Sequence, residues 1–335
     1  MKILHAPFNV AGQPAIIAEA QRALGHTSDV LVFNDNYLHY HYDKNLAVAG
    51  RSTIHKTIIY LTNLFAALAH YDVFHFHFGG SLLPWNLDLQ LERLLRKKVL
   101  MHYWGSDVIQ TDIARHYTLW GPELLTKIYP NRNDDLQRKK LNKVKQIVNK
   151  TIVGDFSLLA YSPDSMVIRQ AFNLSNVPFV GVLSKKNRIN IVHAPTHRGI
   201  KGTSQINAAM KIICQRYPVD YQLIEHRPHS EAMALYAKAD IIVDDLLHGP
   251  YGILAIECMA LGKPVLARID KKLVHYYPNL PIVNSNPDTI VDDIIRLITN
   301  WDLRKSLGIA GREYVKRHHN AHAIAQQLVD LYKSI

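Results

Sequence analysis

The chain has 335 residues, nearly half of them apolar, with 39 Lys and Arg against 28 Asp and Glu and a formal charge of +11. That length supports two hydrophobic cores of ordinary domain size. The two cysteines, Cys214 and Cys258, lack metal-ligand spacing, which points away from a disulfide scaffold and toward a cytoplasmic protein. No stretch approaches the ~20 apolar residues of a membrane-spanning helix, and no charged-then-apolar leader precedes Ile3, so neither a bilayer crossing nor export is expected. The positive excess asks for an anionic partner: a phosphorylated substrate, an acidic membrane surface or nucleic acid.

Residues 1–33 read as a strand, a loop holding Gly12, an amphipathic helix ending near Gly25 and a second strand at 30–33, a βαβ unit. The alternation continues with a helix over 54–69, a strand in DVFHFHF at 72–78, a basic helix over 87–98 and a strand in KVLMHYW. Such alternation predicts a parallel sheet whose ligands gather at the carboxyl ends of its strands. Residues 132–150 concentrate Lys and Arg and read either as a surface for anionic lipid or as a flexible loop. The leucines and cations of 87–98 read either the same way or as a solvated face over a buried stripe. A hinge is predicted within 162–188, and from Lys185 the strand-and-helix grammar starts afresh.

The second half carries the chemistry. In NIVHAPTHRGIKGTSQ a strand ends at His193, a loop presents Arg198 and Lys201, and a helix follows with Thr203 or Ser204 as its cap. Two cations there can neutralise a pyrophosphate and stabilise a departing nucleoside diphosphate; a solvated loop is the plain alternative. In HGPYGILAIECMALGKPV the free amides of Gly252, Ile253 and Leu254 at a helix start favour a phosphate, and Glu257, one turn in, is placed to accept hydrogen bonds from a ribose diol. Asp244 and Asp245, adjacent at a strand end, are expected on opposite faces, and no acidic cluster in a suitable loop offers a metal site. His75 and His77 share a strand face, but no third ligand at suitable spacing is evident.

These segments resemble a known family. YGILAIECMALGKPV is similar to the FGLxxxEAMAxGxPV signature of retaining, nucleotide-sugar-dependent glycosyltransferases of family 4, the glycosyl transferases group 1 type, and HRGIKGT resembles their lysine-bearing phosphate loop. DVFHFH and HYWGSDV resemble the family's DVVHxH strand and HGSDV-type turn. The resemblance implies a GT-B α/β architecture: two Rossmann-like, doubly wound parallel-sheet domains facing a cleft. The acceptor domain would span 1–175, with a C-terminal helix at about 316–335 packing back on it, and the nucleotide-sugar domain 185–315. It implies a metal-independent hexosyltransferase, free of cofactors, that moves sugar from an NDP-sugar to a saccharide or lipid-linked acceptor with retention. The setting implied is bacterial surface polysaccharide or glycolipid biosynthesis, cytoplasmic or peripheral on the inner face of the plasma membrane.

By the same likeness Gly12, Lys201, Arg198, Tyr251, Gly252, Ile253, Leu254 and Glu257 bind the donor, Lys201 and Arg198 aid diphosphate departure, and His102 is the catalytic-side histidine. Trp104 and Asp107 belong to the acceptor side. Two positions depart from the family's pattern: Gly249 stands where an earlier glutamate is usual, with Asp245 or His248 as substitutes, and Trp104 stands where a histidine precedes the glycine. The rivals are a sugar-nucleotide epimerase on the same scaffold and a nucleotide-sugar-binding protein that has lost transfer. A nucleic-acid binder lacks its aromatic-interleaved module, and NVAGQP lacks the GxGxxG of a nicotinamide enzyme.

Overall fold

The computed structural model describes residues 1–35, 39–182 and 184–335. It divides into two compact units. Unit 1 is Met1–Gln110, Arg132–Ala171 and Ala321–Ile335, and unit 2 is Thr111–Asn131 and Phe172–Asn320.

Unit 1 begins with β1 (Lys2–Ala6), α1 (Gln13–Ala23), β2 (Thr27–Val32), β3 (Lys44–Asn45), α2 (Thr53–His70), β4 (Val73–His77), α3 (Leu89–Leu94) and β5 (Lys98–Tyr103). The chain then contributes α4 (Thr111–Ala114) and α5 (Pro122–Ile128) to unit 2 before returning with α6 (Asp134–Ile147), β6 (Lys150–Val153) and β7 (Met166–Val167). Unit 2 continues with β8 (Ile189–His193), α7 (Arg198–Lys201), α8 (Thr203–Arg216), β9 (Val219–Leu223), α9 (His229–Lys238), β10 (Ile241–Val243), α10 (Ile253–Ala260), β11 (Val265–Ala267), β12 (Ile282–Asn284), α11 (Ile290–Thr299) and α12 (Trp301–His318). The last helix, α13 (Ala321–Ser334), belongs to unit 1.

Among the described residues the strands order as β3-β2-β1-β4-β5-β6-β7 in unit 1 and β12-β11-β10-β8-β9 in unit 2. Every pairing is parallel. The order fixes where ligands bind. In unit 1, β1 leads outward to β2 while the neighbouring β4 leads the other way to β5; in unit 2, β8 leads to β9 and β10 to β11. At such a reversal two adjacent loops diverge and leave a crevice beyond the strand ends. In unit 1 the crevice lies between the loops after β1 and β4, in unit 2 between those after β8 and β10.

Right-handed crossovers put α2, α3 and α6 on one face of the unit 1 sheet, since all three advance in the same direction along the strand order. The other face is packed by α1 and α13, through Ile17, Ile324, Leu328 and Tyr332 against Ile3, Val73, Leu100 and Ile152. In unit 2 one cluster joins Ile191, Ile241, Val243 and Leu266 to Ile206, Ile213, Ile294 and Leu297 of α8 and α11.

Several sequence expectations need correcting. Residues 111–131 belong to unit 2, not to a continuous domain over 1–175. The basic helix of 87–98 is regular only over Leu89–Leu94. The basic stretch near 140 is an ordered helix rather than a loop, because Asn133 accepts from the Leu136 amide at 2.9 Å and caps it. The C-terminal helix starts at Ala321, not near 316. Within the hinge span 162–188 the chain passes from unit 1 to unit 2 after Ala171; residue 183 of that span lies outside the described residues.

Candidate functional site

In unit 2 the loop after β8 is not a plain loop. Its cations sit on the helical turn α7, capped by His197, whose ring nitrogen accepts from the Ile200 amide at 3.3 Å. The next helix, α8, starts behind Gly202 with no side-chain cap, so neither Thr203 nor Ser204 has the expected role. The Thr203 hydroxyl is instead turned inward to Nε2 of the buried His193, 2.9 Å away, while His193 Nδ1 lies 2.8 Å from the Val243 carbonyl. That carbonyl can only accept, so Nδ1 carries the proton and the Thr203 hydroxyl donates to Nε2. The pair ties the end of β8 to the end of β10.

Lys201 projects from α7 to the loop after β10. Its ammonium lies 2.9 Å from Asp244 Oδ1 and 3.4 Å from Asp245 Oδ2, both carboxylates being buried. The expectation that these aspartates face opposite ways fails because β10 ends at Val243, and beyond it strand alternation no longer applies. Burial by itself lowers the affinity of Lys201 for its proton, and the charges of Asp244 and then Asp245 outweigh burial and raise its pKa. Lys201 is therefore a fixed positive charge. Asp245 Oδ1 also accepts from the amides of Leu247 and His248, each at 2.9 Å, which shapes the loop leading to α10.

That loop delivers the start of α10 to the ammonium. A Cβ built on Gly252 would lie 3.8 Å from Lys201 Nζ, and no side chain caps the helix at Gly252. Gly252, Ile253 and Leu254 are half-buried at this start. Glu257 follows five residues on, about 8 Å along the axis, and is buried. A lysine ammonium and a carboxylate separated by more than fifty residues thus share one helix end, at the crevice the strand order dictates.

Glu257 has a partner that sequence reasoning did not find. His229, the first residue of α9, places Nε2 2.5 Å from Glu257 Oε1. That hydrogen bond, working against burial, raises the His229 pKa above its ordinary value. Tyr251 is turned away, its hydroxyl 2.9 Å from His319 Nε2 within a cluster of Tyr277 and Tyr314, so only its backbone is available to a ligand. Arg198 is exposed and engaged, gripping Glu225 beyond β9 with two bonds of 2.9 and 2.5 Å. The pair occupies Nε and Nη2 and is of the exposed kind that exchanges partners at little cost.

The Gly249 departure has a physical counterpart. Gly249 adopts φ +115°, and a Cβ there would come within 3.0 Å of Arg268 Nη1 and 3.1 Å of the Tyr117 carbonyl. Arg268 is ion-paired with Asp270 and lies 3.4 Å from the carbonyls of Tyr117 and Leu247. The positive φ strains any side chain at 249, and its neighbours would have to give by a few tenths of an ångström. His248 does not take its place simply: its ring stacks on Trp120 at 4.7 Å, and Trp120 donates from Nε1 to the Ile200 carbonyl at 3.1 Å. Trp120, on the excursion 111–131, was not flagged by any motif; only folding brings it over the phosphate turn.

In unit 1 the crevice holds a cavity of about 430 Å³ lined by Phe8, Phe33, Tyr40, Tyr42 and Phe78 beside Asn9 and Asp35. Gly12 lies at its edge as the residue preceding α1, with φ +71° and a Cβ position only 2.9 Å from the Tyr40 ring. Any larger residue would displace that aromatic wall. Nearby, Asp107 accepts from the amides of Trp104 and Gly105, at 3.1 and 2.7 Å. Burial pushes its pKa up to about 6, with those amides pulling the other way.

His102 does not line a ligand wall. It is fully buried, because the strand face it shares with Leu100 is the one covered by α13. It ends a chain of hydrogen bonds whose direction follows from one group, the Trp104 indole, which can only donate. Trp104 donates to His77 Nδ1 at 3.2 Å, so His77 carries its proton on Nε2 and gives it to His5 Nδ1 at 2.9 Å. His5 Nε2 then donates to Gln21, Gln21 to the Tyr332 hydroxyl, Tyr332 to His75 Nδ1, and His75 Nε2 to His102 Nδ1 at 3.2 Å. His102 Nε2 alone is left without a partner among the described residues.

His5 is the third histidine that sequence spacing did not supply: nitrogens of His5, His75 and His77 lie within 4.8 Å of one another. Both nitrogens of each of these rings are nevertheless engaged in the directed chain, which satisfies them as neutral imidazoles without an ion. Trp104→Phe removes the donor that sets the direction. At least one imidazole is expected to change tautomer in ¹⁵N spectra, with a stability loss of about 1–3 kcal/mol; unchanged tautomers would show that the indole does not set the order.

Comparison with known proteins bears on the family and the fold. Residues 215–314 match the model of the family Glycosyl transferases group 1. An uncharacterized glycosyltransferase of Methanocaldococcus jannaschii is 28% identical over 103 residues, 30% of this chain and 26% of that protein. The match thus spans about a quarter of that relative. Sucrose-phosphate synthase from Thermosynechococcus elongatus superposes with a TM-score of 0.71 at 18% identity, covering 100% of this chain and 99% of that one. Anabaena HepE, solved in complex with UDP-glucose, gives 0.66 at 12% identity, with 100% of both chains covered. At such identities the likeness is one of fold: two parallel-sheet α/β domains of the GT-B type.

Proposed function

We propose that this chain, which carries a glycosyl transferases group 1 segment on a GT-B scaffold, is a retaining, metal-independent glycosyltransferase of the family 4 type using a nucleotide-diphosphate sugar. The observation that supports it above others is the Lys201 ammonium held against the uncapped start of α10, with Glu257 one turn on. An ammonium has three N–H groups. One donates to Asp244 Oδ1 while Asp245 Oδ2 lies 3.4 Å away as an ion-pair partner, which leaves at least one for a phosphate oxygen at the positive end of the helix. As the bond to the sugar breaks, charge grows on the departing diphosphate, and Lys201 with the α10 amides offsets it without rearrangement. Glu257, oriented by His229, accepts from the ribose hydroxyls, and Arg198 joins the diphosphate on leaving Glu225.

The transferred sugar goes to a saccharide or lipid-linked acceptor, for which the aromatic cavity of unit 1 offers flat faces and the polar side chains of Asn9, Asn34 and Asp35. The setting proposed is glycan assembly at the cytoplasmic face of a membrane. A second reading, a nucleotide-sugar-binding protein without transfer, is favoured by a glycine at 249, held at φ +115°, where the family's usual glutamate would stand.

The test is incubation with UDP-, GDP-, ADP- and dTDP-sugars, with and without saccharide and lipid acceptors. Acceptor-dependent nucleotide release is expected. A free isomeric sugar nucleotide would indicate epimerisation, and tight binding with neither outcome the binding protein. Glu257→Ala should weaken donor binding on the order of ten-fold or more, the value of one or two buried hydrogen bonds to a charged acceptor, and equal affinity in calorimetry counts against the ribose role.

A further inference from the structure

Glu257 is buried, and among the described residues one hydrogen bond reaches its carboxylate, the 2.5 Å contact between His229 Nε2 and Oε1. An unpaired carboxylate in the interior is costly, so that partner supports the ionised form and fixes which way its oxygens face. α9 itself gives no reason for a histidine there. His229 is the first residue of the helix, where the macrodipole is positive and disfavours a cation, and no side chain caps that end. The contact with Glu257, rather than helix stability, accounts for the residue.

The neighbouring charges are engaged elsewhere. On the approach to α9, Arg227 pairs with Glu231 at 3.6 Å. On α10, Cys258 is buried, and its thiol is held neutral by burial first and then by the charge of Glu257. Asp244, the next carboxylate acting on that thiol, is taken up by Lys201 at 2.9 Å. Glu257 is thus the charge that acts on His229, and its hydrogen bond outweighs burial and keeps the imidazole protonated to higher pH than an isolated ring.

An ionised carboxylate only accepts, at about four lone-pair positions on its two oxygens. His229 takes one position on Oε1 and so sets the plane of the group; Oε2 and the rest of Oε1 remain for donors. The cis-diol of a ribose offers two adjacent hydroxyls to such a carboxylate, and a 2′-deoxyribose offers one. We propose that protonated His229 is a positioning residue that locks Glu257 as a diol reader, so that the site selects ribonucleoside diphosphates over 2′-deoxyribonucleoside ones, dTDP-sugars included, and relaxes that choice once the imidazole is neutral. A neutral ring holds one proton between two nitrogens and no charge, which weakens the lock. The inference rests on the donor reading above and narrows it to ribonucleotides.

The experiment titrates the full chain calorimetrically with UDP, GDP and ADP and with their 2′-deoxy counterparts, at pH 6 and pH 9. The readout is the ratio of deoxyribo to ribo dissociation constants for the base bound most tightly. Ionisation of the diphosphate is common to both nucleotides and cancels in that ratio. The wild-type ratio at pH 6 is expected on the order of ten-fold or more, the value of one hydrogen bond to a charged acceptor, and should shrink at pH 9. His229→Ala should bring it close to one at either pH. His229→Gln, which restores a neutral N–H donor, should recover part of the ratio and lose its pH dependence. The His229 side chain is 38% exposed, and circular dichroism verifies that both variants keep the fold. Nucleotide binding with a wild-type ratio near one, a ratio that does not change with pH, or equal weakening of both nucleotides in His229→Ala overturns this proposal and leaves the donor reading standing. A wild-type chain that binds none of these nucleotides overturns both.

Discussion

Lys201→Ala is expected to lower the stability of unit 2 by about 3–5 kcal/mol, the cost of breaking a buried pair from one side, and to abolish measurable binding of a nucleoside diphosphate. Its ammonium faces two buried carboxylates, and Asp244 Oδ2 and Asp245 Oδ2 have no hydrogen-bond donor among the described residues. Alanine leaves those charges in the interior uncompensated. The lysine is therefore a structural counter-ion in addition to the phosphate contact proposed for it. The two roles separate in Lys201→Ala combined with Asp244→Asn, which removes one stranded charge. The double variant should regain much of the denaturation midpoint and none of the affinity for UDP. Full affinity in either variant would remove Lys201 from the donor site, and an unshifted midpoint in the single variant would show that the carboxylates do not depend on it.

Acidification is expected to unfold unit 1 well before carboxylates in general are protonated. Burial lowers the pKa of His5 to about 4 and sets those of His75, His77 and His102 well below 6.5. The sign follows directly. Below pH 6.5 the unfolded chain takes up protons that the folded chain refuses, so stability present above that value is lost as pH falls toward 4.

Two carboxyls oppose them. Asp107, raised to about 6, and Glu92, raised to about 9, hold protons in the folded state that the unfolded chain has lost near pH 5, so acid favours the fold at these sites. Four groups against two leave a net loss of stability as pH falls toward 5. Denaturant titrations followed by Trp104 emission at pH 7 and pH 5 measure it. A flat profile would mean that these imidazoles are hydrated or paired in a way the hydrogen-bond chain excludes.

Part of the site was legible from the chain alone because its parts are local. A strand end, a turn with Lys201 and a helix start lie within a dozen residues, as do the amides at 252–254 and Glu257, and helical periodicity fixes how each segment presents its groups. That these two segments meet was expected from the family resemblance alone; it is the strand order, with its reversed connections, that brings the loops after β8 and β10 together.

What only the tertiary structure decided is the partner of each group. Glu225 for Arg198, His229 for Glu257, both aspartates for Lys201 and Trp120 over the phosphate turn are contacts between segments whose spacing carries no signal. The same holds for His102. Strand alternation put it on a face with His75 and His77 in register, yet whether that face meets a ligand or a helix depended on α13, which returns from the far end of the chain and seals it with Tyr332. Local sequence sets what a side chain can do; burial and partner come from packing, where desolvation decides which charges persist.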